Sequence, residues 1–168
     1  VVLDASPQDT IGIDVIGLWP GADLDESETD ALHEGLKLVS KAAIPHGIRI
    51  ALEYKPDTVI PDASATLKAV DHFDNIGVLV DSGHAYALGE DPTEVIARVA
   101  KAGKLFHVHL GDADIYGADD DLPVGRLHSP NEYIQELTRV GFEGVASFDL
   151  YGAVEGGISS KDAVRESV

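Results

Sequence analysis

The chain has 168 residues, of which 44% are hydrophobic and 25% charged, a balance typical of one globular domain with a real core. Its 12 basic and 30 acidic residues give a formal net charge of -18, which argues against nucleic-acid binding, since phosphate binders usually present a basic face. It has no Cys, which excludes disulfides and thiolate metal sites. No apolar run is long enough for a membrane span, so we expect a soluble, cytoplasmic protein.

The chain begins with two predicted strand–helix units. The first strand covers residues 11–19, is rich in β-branched residues and stops at a Pro-Gly turn. Ser27, followed three positions later by an acid, resembles a capping box, and apolar residues at helical spacing extend this helix to Pro45. A strand over residues 48–54 and a helix over residues 63–73 form the second unit.

Three further units follow the same pattern. The third strand leads to a helix that Asp91 caps, with Pro92 at its first position. The fourth strand is followed by an acidic loop and a helix, and the fifth by the start of a last helix. In chain order these elements cover residues 76–80, 91–103, 105–110, 129–141, 145–150 and 161–168.

Five βα units in succession predict an α/β domain of parallel strands with right-handed crossovers. This pattern fits either an open doubly wound sheet or part of a (β/α)8 barrel. Five strands are too few to close a barrel, which typically needs about 250 residues. The chain has no Met and begins at Val1, which indicates processing or a longer parent protein. We interpret residues 1–168 as a single domain.

Polar side chains gather where four consecutive strands end. A single acid or His at such a position is more typical of a loop contact or of the core than of a metal site. Together they favour a divalent cation, because grouped carboxylates are costly to bury without one. An oxygen-rich set with imidazole suits Mn²⁺, Mg²⁺ or Co²⁺ better than structural zinc. The strand-end residues are Glu53, Lys55, Asp81, His84, His107, His109 and Asp149.

Four motifs occur in a characteristic order: Glu53-Tyr54-Lys55-Pro56, Asp81-Ser82-Gly83-His84, His107-Val108-His109 and Tyr116-Gly117-Ala118-Asp119-Asp120-Asp121-Leu122. In this order they resemble the xylose isomerase-like barrels, and within these the bacterial L-rhamnose isomerases of relaxed specificity. The similarity covers nearly the whole chain and matches strands four to eight of that barrel. It implies that the chain is the C-terminal part of a (β/α)8 TIM barrel.

The resemblance implies a role for each matching residue. The first metal would be held by Glu53, Asp81, His109 and Asp149. A second metal would be held by His84, Asp119 and Asp121. Sugar contacts would come from Lys55, from Trp19 at a strand mouth, where packing is an equal alternative, and from His107. The residues with catalytic roles would be Lys55, His84, Asp119 and Asp149. The implied cofactor is one or two divalent ions, with Mn²⁺ first and Co²⁺ or Mg²⁺ as alternatives.

Two departures from the family pattern bear on the reaction. The loop between His109 and Asp119 is longer than usual, which affects the second metal site. The ligand ring closes with Asp149, where the related ketose 3-epimerases have Glu. The resemblance therefore implies a metal-dependent aldose–ketose isomerase that acts on a free monosaccharide by hydride shift or enediol, and that forms a homo-oligomer when intact.

Three alternatives remain open. A ketose 3-epimerase or an inosose-type dehydratase would use the same barrel. A DNA-repair endonuclease of similar shape, with three zinc ions in that family, conflicts with the net charge of -18. The third alternative is an inert partial barrel. It is open because the first three strands of the barrel, with their substrate-binding aromatics, are not visible in this sequence. We therefore expect the 168-residue chain alone to be inactive or incomplete.

Overall fold

The computed structural model describes residues 12–20, 28–118 and 120–167. Strands β1 to β5 cover Val15–Leu18, Arg49–Glu53, Ile76–Asp81, Leu105–Leu110 and Ala146–Phe148. Helices α1 to α7 cover Thr29–Ala43, Ala63–Val70, Ser82–Ala87, Pro92–Lys101, Asn131–Arg139, Tyr151–Glu155 and Ser160–Glu166. All five strands are parallel and pair in the order β1-β2-β3-β4-β5. The predicted α/β fold is confirmed as a half-barrel with five of the eight strands of a TIM barrel.

Two helices of the structure are not predicted from the sequence, and one predicted cap lies outside the described residues. Helices α3 and α6 are too short to show helical periodicity, and each follows a strand-end acid. Asp81 caps α3 by accepting a hydrogen bond from the backbone N–H of His84. Ser27 lies outside the described residues, and Glu28 occupies the cap position of α1, where its side chain makes no capping hydrogen bond to the helix. The described part of the chain contains no helix that is both long and apolar enough to span a bilayer.

The core lies between the convex face of the sheet and the helices. Strand alternation sends Ile50 and Leu52 into this core, while Glu53 faces the concave side, which is the interior of the half-barrel. Because both faces of β3 are covered, every residue of that strand is buried. The central core residues are Leu36, Ile50, Leu52, Ile76, Val78, Val80, Val95, Ile96 and Val108.

A β-bulge between β3 and β4 sets the register of the site. Val78 pairs with Leu105, but the next residue, Leu79, pairs with His107, so Phe106 is the extra residue. Phe106 covers Gly77, where a Cβ atom would lie only 2.5 Å from Cγ of the Phe106 ring. The bulge therefore fills the barrel interior at Gly77 and still places His109 opposite Asp81 at the strand mouth.

Lys104 joins α2 to β3 through its ammonium group. Nζ donates hydrogen bonds to the carbonyl oxygens of Val70, Phe73 and Ile76. These carbonyls belong to the end of α2, the turn that follows it and the first residue of β3. One half-buried cation therefore satisfies three acceptors from consecutive segments.

We expect Lys104→Met to lower the free energy of unfolding by about 1–3 kcal/mol, because it removes charged donors from these acceptors. Met keeps most of the aliphatic stem. Urea unfolding measures the change. The control is Lys101→Met on the exposed end of α4, for which we expect a change within about 0.5 kcal/mol. Equal losses in the two variants would contradict this role for Lys104.

Candidate metal centre

Four predicted ligands converge at the mouth of the half-barrel. Glu53 ends β2, Asp81 ends β3, His109 lies in β4 and Asp149 directly follows β5. One ligand atom from each lies within 4.8 Å of all the others. Nδ1 of His109 is 3.1 Å from Oε1 of Glu53, 3.3 Å from Oδ2 of Asp149 and 3.5 Å from Oδ2 of Asp81. The structure thus brings together the whole set predicted for the first metal.

The charges of this cluster are strongly coupled. Burial by itself lowers the pKa of His109, but Asp149, Asp81 and Glu53 around the ring outweigh it and raise the pKa to about 12. In return, the hydrogen bond with His109 lowers the pKa of Asp149, against the opposing effect of burial. Three carboxylates around one nitrogen strongly favour a positive charge at this position.

Asp81 provides the clearest test of whether a cation fits. Its side chain is almost fully buried, and Oδ1 accepts a hydrogen bond of 3.0 Å from the backbone N–H of His84. Within the described ranges, the other oxygen, Oδ2, is buried and has no hydrogen-bond partner, since its 3.5 Å contact with Nδ1 of His109 is an ion pair longer than an ordinary hydrogen bond. A buried carboxylate oxygen in this state is costly, and a bound cation would remove that cost. Three carboxylates and one imidazole also form a donor set that divalent metals accept. The residues therefore fit a divalent ion.

His84 lies beside this cluster in a fixed orientation. Its side chain is buried, and Nδ1 lies 2.8 Å from the carbonyl oxygen of Tyr54 and 3.8 Å from Oε1 of Glu53. A carbonyl oxygen only accepts, so Nδ1 must carry the proton and donate it. In the neutral ring, Nε2 is then the acceptor nitrogen.

A cavity of about 380 Å³ opens above the cluster. At its wall, Nζ of Lys55 lies 5.7 Å from the centroid of the Trp19 ring, within the range of a cation–π contact. Tyr151, an exposed aromatic residue that also lines this cavity, was not predicted from the sequence. Its position two residues after Asp149 is the feature of the sequence that could have indicated a place at the site. The cavity is lined by Trp19, Glu53, Lys55, His84, Asp121, Asp149 and Tyr151.

His107 occupies a different place from the other predicted substrate contacts. Its Nε2 is 2.9 Å from Oγ of Ser147, and its ring meets the ring of His109 edge to face at 5.4 Å. Burial, and then the charge of His109, lower the pKa of His107. It lines a larger cavity of about 740 Å³ at the amino-terminal ends of the strands. The structure does not bring His107 to the cavity that holds Lys55.

The predicted second metal site is only partly visible. Asp119 lies outside the described residues. Asp121 is buried, and its Oδ2 accepts a hydrogen bond of 3.0 Å from the backbone N–H of Gly152. Gly152 must be glycine, because a Cβ atom there would lie 2.4 Å from the carbonyl oxygen of Asp120. Among the described residues, the one group with metal-binding geometry is the first set.

Residues 9–168 match the family described as xylose isomerase-like TIM barrel, and the chain belongs to this family. It is 26% identical over 161 residues to the xylose isomerase of Thermus thermophilus, covering 84% of this chain and 42% of that protein. It is 24% identical over 159 residues to the inosose isomerase of Bacillus subtilis, covering 85% of this chain and 53% of that protein. The chain thus spans about half the length of these curated relatives.

Solved structures show the same fold. The crystal structure of the IOLI protein with a bound zinc atom has a TM-score of 0.70 and 23% identity, covering 93% of this chain and 60% of that one. A D-tagatose 3-epimerase-like protein has a TM-score of 0.70 and 23% identity, covering 92% of this chain and 63% of that one. The predicted resemblance to xylose isomerase-like barrels is confirmed. The narrower likeness to L-rhamnose isomerases stays a prediction.

We expect Mn²⁺ or Co²⁺ to raise the melting temperature and EDTA to reverse the rise, with Asp81→Asn abolishing the response. Metal at 100 times its Kd stabilises a folded protein by about 2.7 kcal/mol. Asn keeps the acceptor that caps α3 but removes the charge of the carboxylate. Thermal unfolding with and without metal measures the effect, and Asp74→Asn on the exposed surface is the matched control. A metal response of unchanged size in Asp81→Asn would contradict the ligand assignment.

Proposed function

We propose that this chain supplies the metal centre of an enzyme that interconverts an aldose and a ketose, acting on a free monosaccharide. The observation that carries this proposal is the convergence of four ligand atoms within 4.8 Å beneath a cavity that Lys55 also lines. The names xylose isomerase and inosose isomerase, borne by relatives of this chain, support an isomerisation. Because the chain spans about half of these relatives, the activity is proposed for the whole protein.

The proposed cofactor is one or two divalent ions, Mn²⁺ first. Bound by Glu53, Asp81, His109 and Asp149, such an ion supplies Lewis acidity toward a sugar carbonyl oxygen. Lys55 adds a fixed positive charge at the wall of the same cavity. A developing negative charge on the C1 or C2 oxygen is stabilised by such a donor in a partly desolvated site. The ring of Trp19 makes a cation–π contact with this ammonium group.

His84 and the nearby acids would handle protons. Nδ1 of His84 is committed to the carbonyl of Tyr54, so Nε2 of the neutral ring is the nitrogen that can accept a proton from a sugar hydroxyl. Asp149, kept ionised by the cation that it binds, would act as a hydrogen-bond acceptor at the cavity floor. The proposed second ion would be held by Asp121, by Asp119, which lies outside the described residues, and by Nε2 of His84, which would then bind the ion in place of accepting the proton.

A second candidate is a ketose 3-epimerase or an inosose-type dehydratase. The similarity to a D-tagatose 3-epimerase-like protein and to an inosose dehydratase favours it. An enediol isomerisation and these alternatives begin by removing a proton next to a carbonyl, so the same residues would serve. The Asp at position 149, where the epimerases have Glu, favours isomerisation. Homo-oligomerisation and a cytoplasmic location also stay predictions.

A panel of aldoses, ketoses and inososes, incubated with Mn²⁺ and followed by proton NMR, tests the reaction. The panel is run with the 168-residue chain and with any longer product of its gene. We expect the longer product to interconvert aldose and ketose, and the 168-residue chain alone to be inactive. Products that are epimeric at C3, or dehydrated, with no aldose formed, would replace isomerisation by the second candidate. Turnover that is unaffected by removal of metal would contradict both.

We expect Lys55→Met to lower kcat by about 100- to 1,000-fold, the range typical of removing one donor to a developing oxyanion. Metal affinity should not fall, because an ammonium group has no lone pair to bind a metal and its positive charge repels a cation. Steady-state kinetics and a metal titration separate the two effects. Lys41→Met on the exposed face of α1 is the control and should retain wild-type kcat. A Lys55→Met enzyme with normal kcat would remove Lys55 from the mechanism.

A further inference from the structure

We infer that Tyr54 is the positioning residue that holds the carboxylate-bearing ends of β2 and β3 in the geometry that a metal requires. Tyr54 stands between Glu53 and Lys55 in the sequence, and the proposed mechanism gives its side chain no task. The inference rests on the metal centre of the proposed function. It assigns to Tyr54 the mutual placement of Glu53, Asp81 and His84.

The backbone pairing of β2 with β3 stops short of Asp81. The register of these two strands ends at the pair Glu53 and Leu79, while Asp81 pairs with His109 on the other side, in β4. At this point β2 turns away, and the backbone N–H of Lys55 donates to the carbonyl oxygen of Ile60. Something other than the ladder between β2 and β3 must therefore fix the distance between Glu53 and Asp81.

Tyr54 makes that connection with its side chain and its backbone. The side chain is fully buried, and its O–H donates a hydrogen bond of 3.0 Å to the carbonyl oxygen of Asp81. Its own carbonyl oxygen accepts from Nδ1 of His84 at 2.8 Å, and the two rings meet edge to face at 5.9 Å. The N–H of His84 in turn donates to Oδ1 of Asp81 at 3.0 Å. Three residues are thereby joined in a closed circuit of three hydrogen bonds.

This circuit opposes the repulsion within the site. The carboxylates of Glu53, Asp81 and Asp149 share one small volume, and like charges push the strand ends apart. The phenol group of Tyr54 anchors the backbone of Asp81 from the core side of the sheet, the side opposite Glu53. Loss of a residue that orients metal ligands typically lowers metal affinity by about 10- to 100-fold.

The test compares Tyr54→Phe with Thr66→Val in metal titrations of the whole chain. Each substitution removes one buried hydroxyl that donates to a backbone carbonyl, with little change of shape. Thr66 donates to the carbonyl oxygen of Asp62 at 2.9 Å in α2, which does not line the metal cavity. We expect Tyr54→Phe to raise the Kd for Co²⁺ by about 10-fold. Thr66→Val should leave it within about twofold, because its loss affects folding stability only.

The absorption bands of bound Co²⁺ provide a second readout, which we expect to shift in Tyr54→Phe and not in Thr66→Val. Near-UV circular dichroism checks that each variant is folded. Trimethylamine N-oxide is added to all samples if Tyr54→Phe is partly unfolded, since it favours the compact state. If Tyr54→Phe keeps the wild-type Co²⁺ affinity and absorption bands, or if both variants lose affinity for Co²⁺ equally, the inference about Tyr54 is overturned while the proposed function is not. A wild-type chain that binds no Co²⁺ would overturn the proposed function as well.

Discussion

The mutual repulsion of three carboxylates around one imidazole is the constraint on which the rest of the structure depends. Glu53, Asp81 and Asp149 each come from a different strand end, and like charges this close together repel one another. Parallel pairing forces them together, because the carboxyl ends of all five strands lie at one edge of the sheet. The buried β3 gives this edge a rigid base, since all of its residues are covered. The fold therefore keeps three carboxylates close together in spite of their repulsion, and a bound cation would relieve that repulsion.

The geometry of this cluster depends on features that lie below it in the barrel interior. The extra residue Phe106 fills the space over Gly77, and the same bulge restores the alignment of His107 with Leu79 and of His109 with Asp81. A regular ladder in place of the bulge would shift β4 by one residue and turn His109 to the other face. The position of one ligand is therefore determined by packing at the opposite end of its strand.

The sequence was sufficient to predict the five strands and the gathering of polar side chains at their ends, because strand ends and parallel order follow from local patterns. The particular set of Glu53, Asp81, His109 and Asp149 came from the resemblance to the xylose isomerase-like barrels. It was not sufficient for features that depend on register or on partners distant in sequence. The bulge at Phe106 has no local signal, the short helices α3 and α6 have too few turns, and the hydrogen bond of Tyr54 reaches a carbonyl on another strand. Those features decide how well the four ligands meet.

Asp121 shows how a second ion would be linked to the first. Its Oδ2 already accepts from the N–H of Gly152, so a second ion would have to share this carboxylate with α6. Helix α6 begins two residues after Asp149, and Gly152 lets the loop backbone approach it closely. A displacement of Asp121 would therefore be transmitted to Asp149 through the hydrogen bond from the N–H of Gly152 and the few covalent bonds between Gly152 and Asp149. We therefore expect that an ion at the proposed second position would change the geometry of the first, so that the binding of the two ions would be coupled.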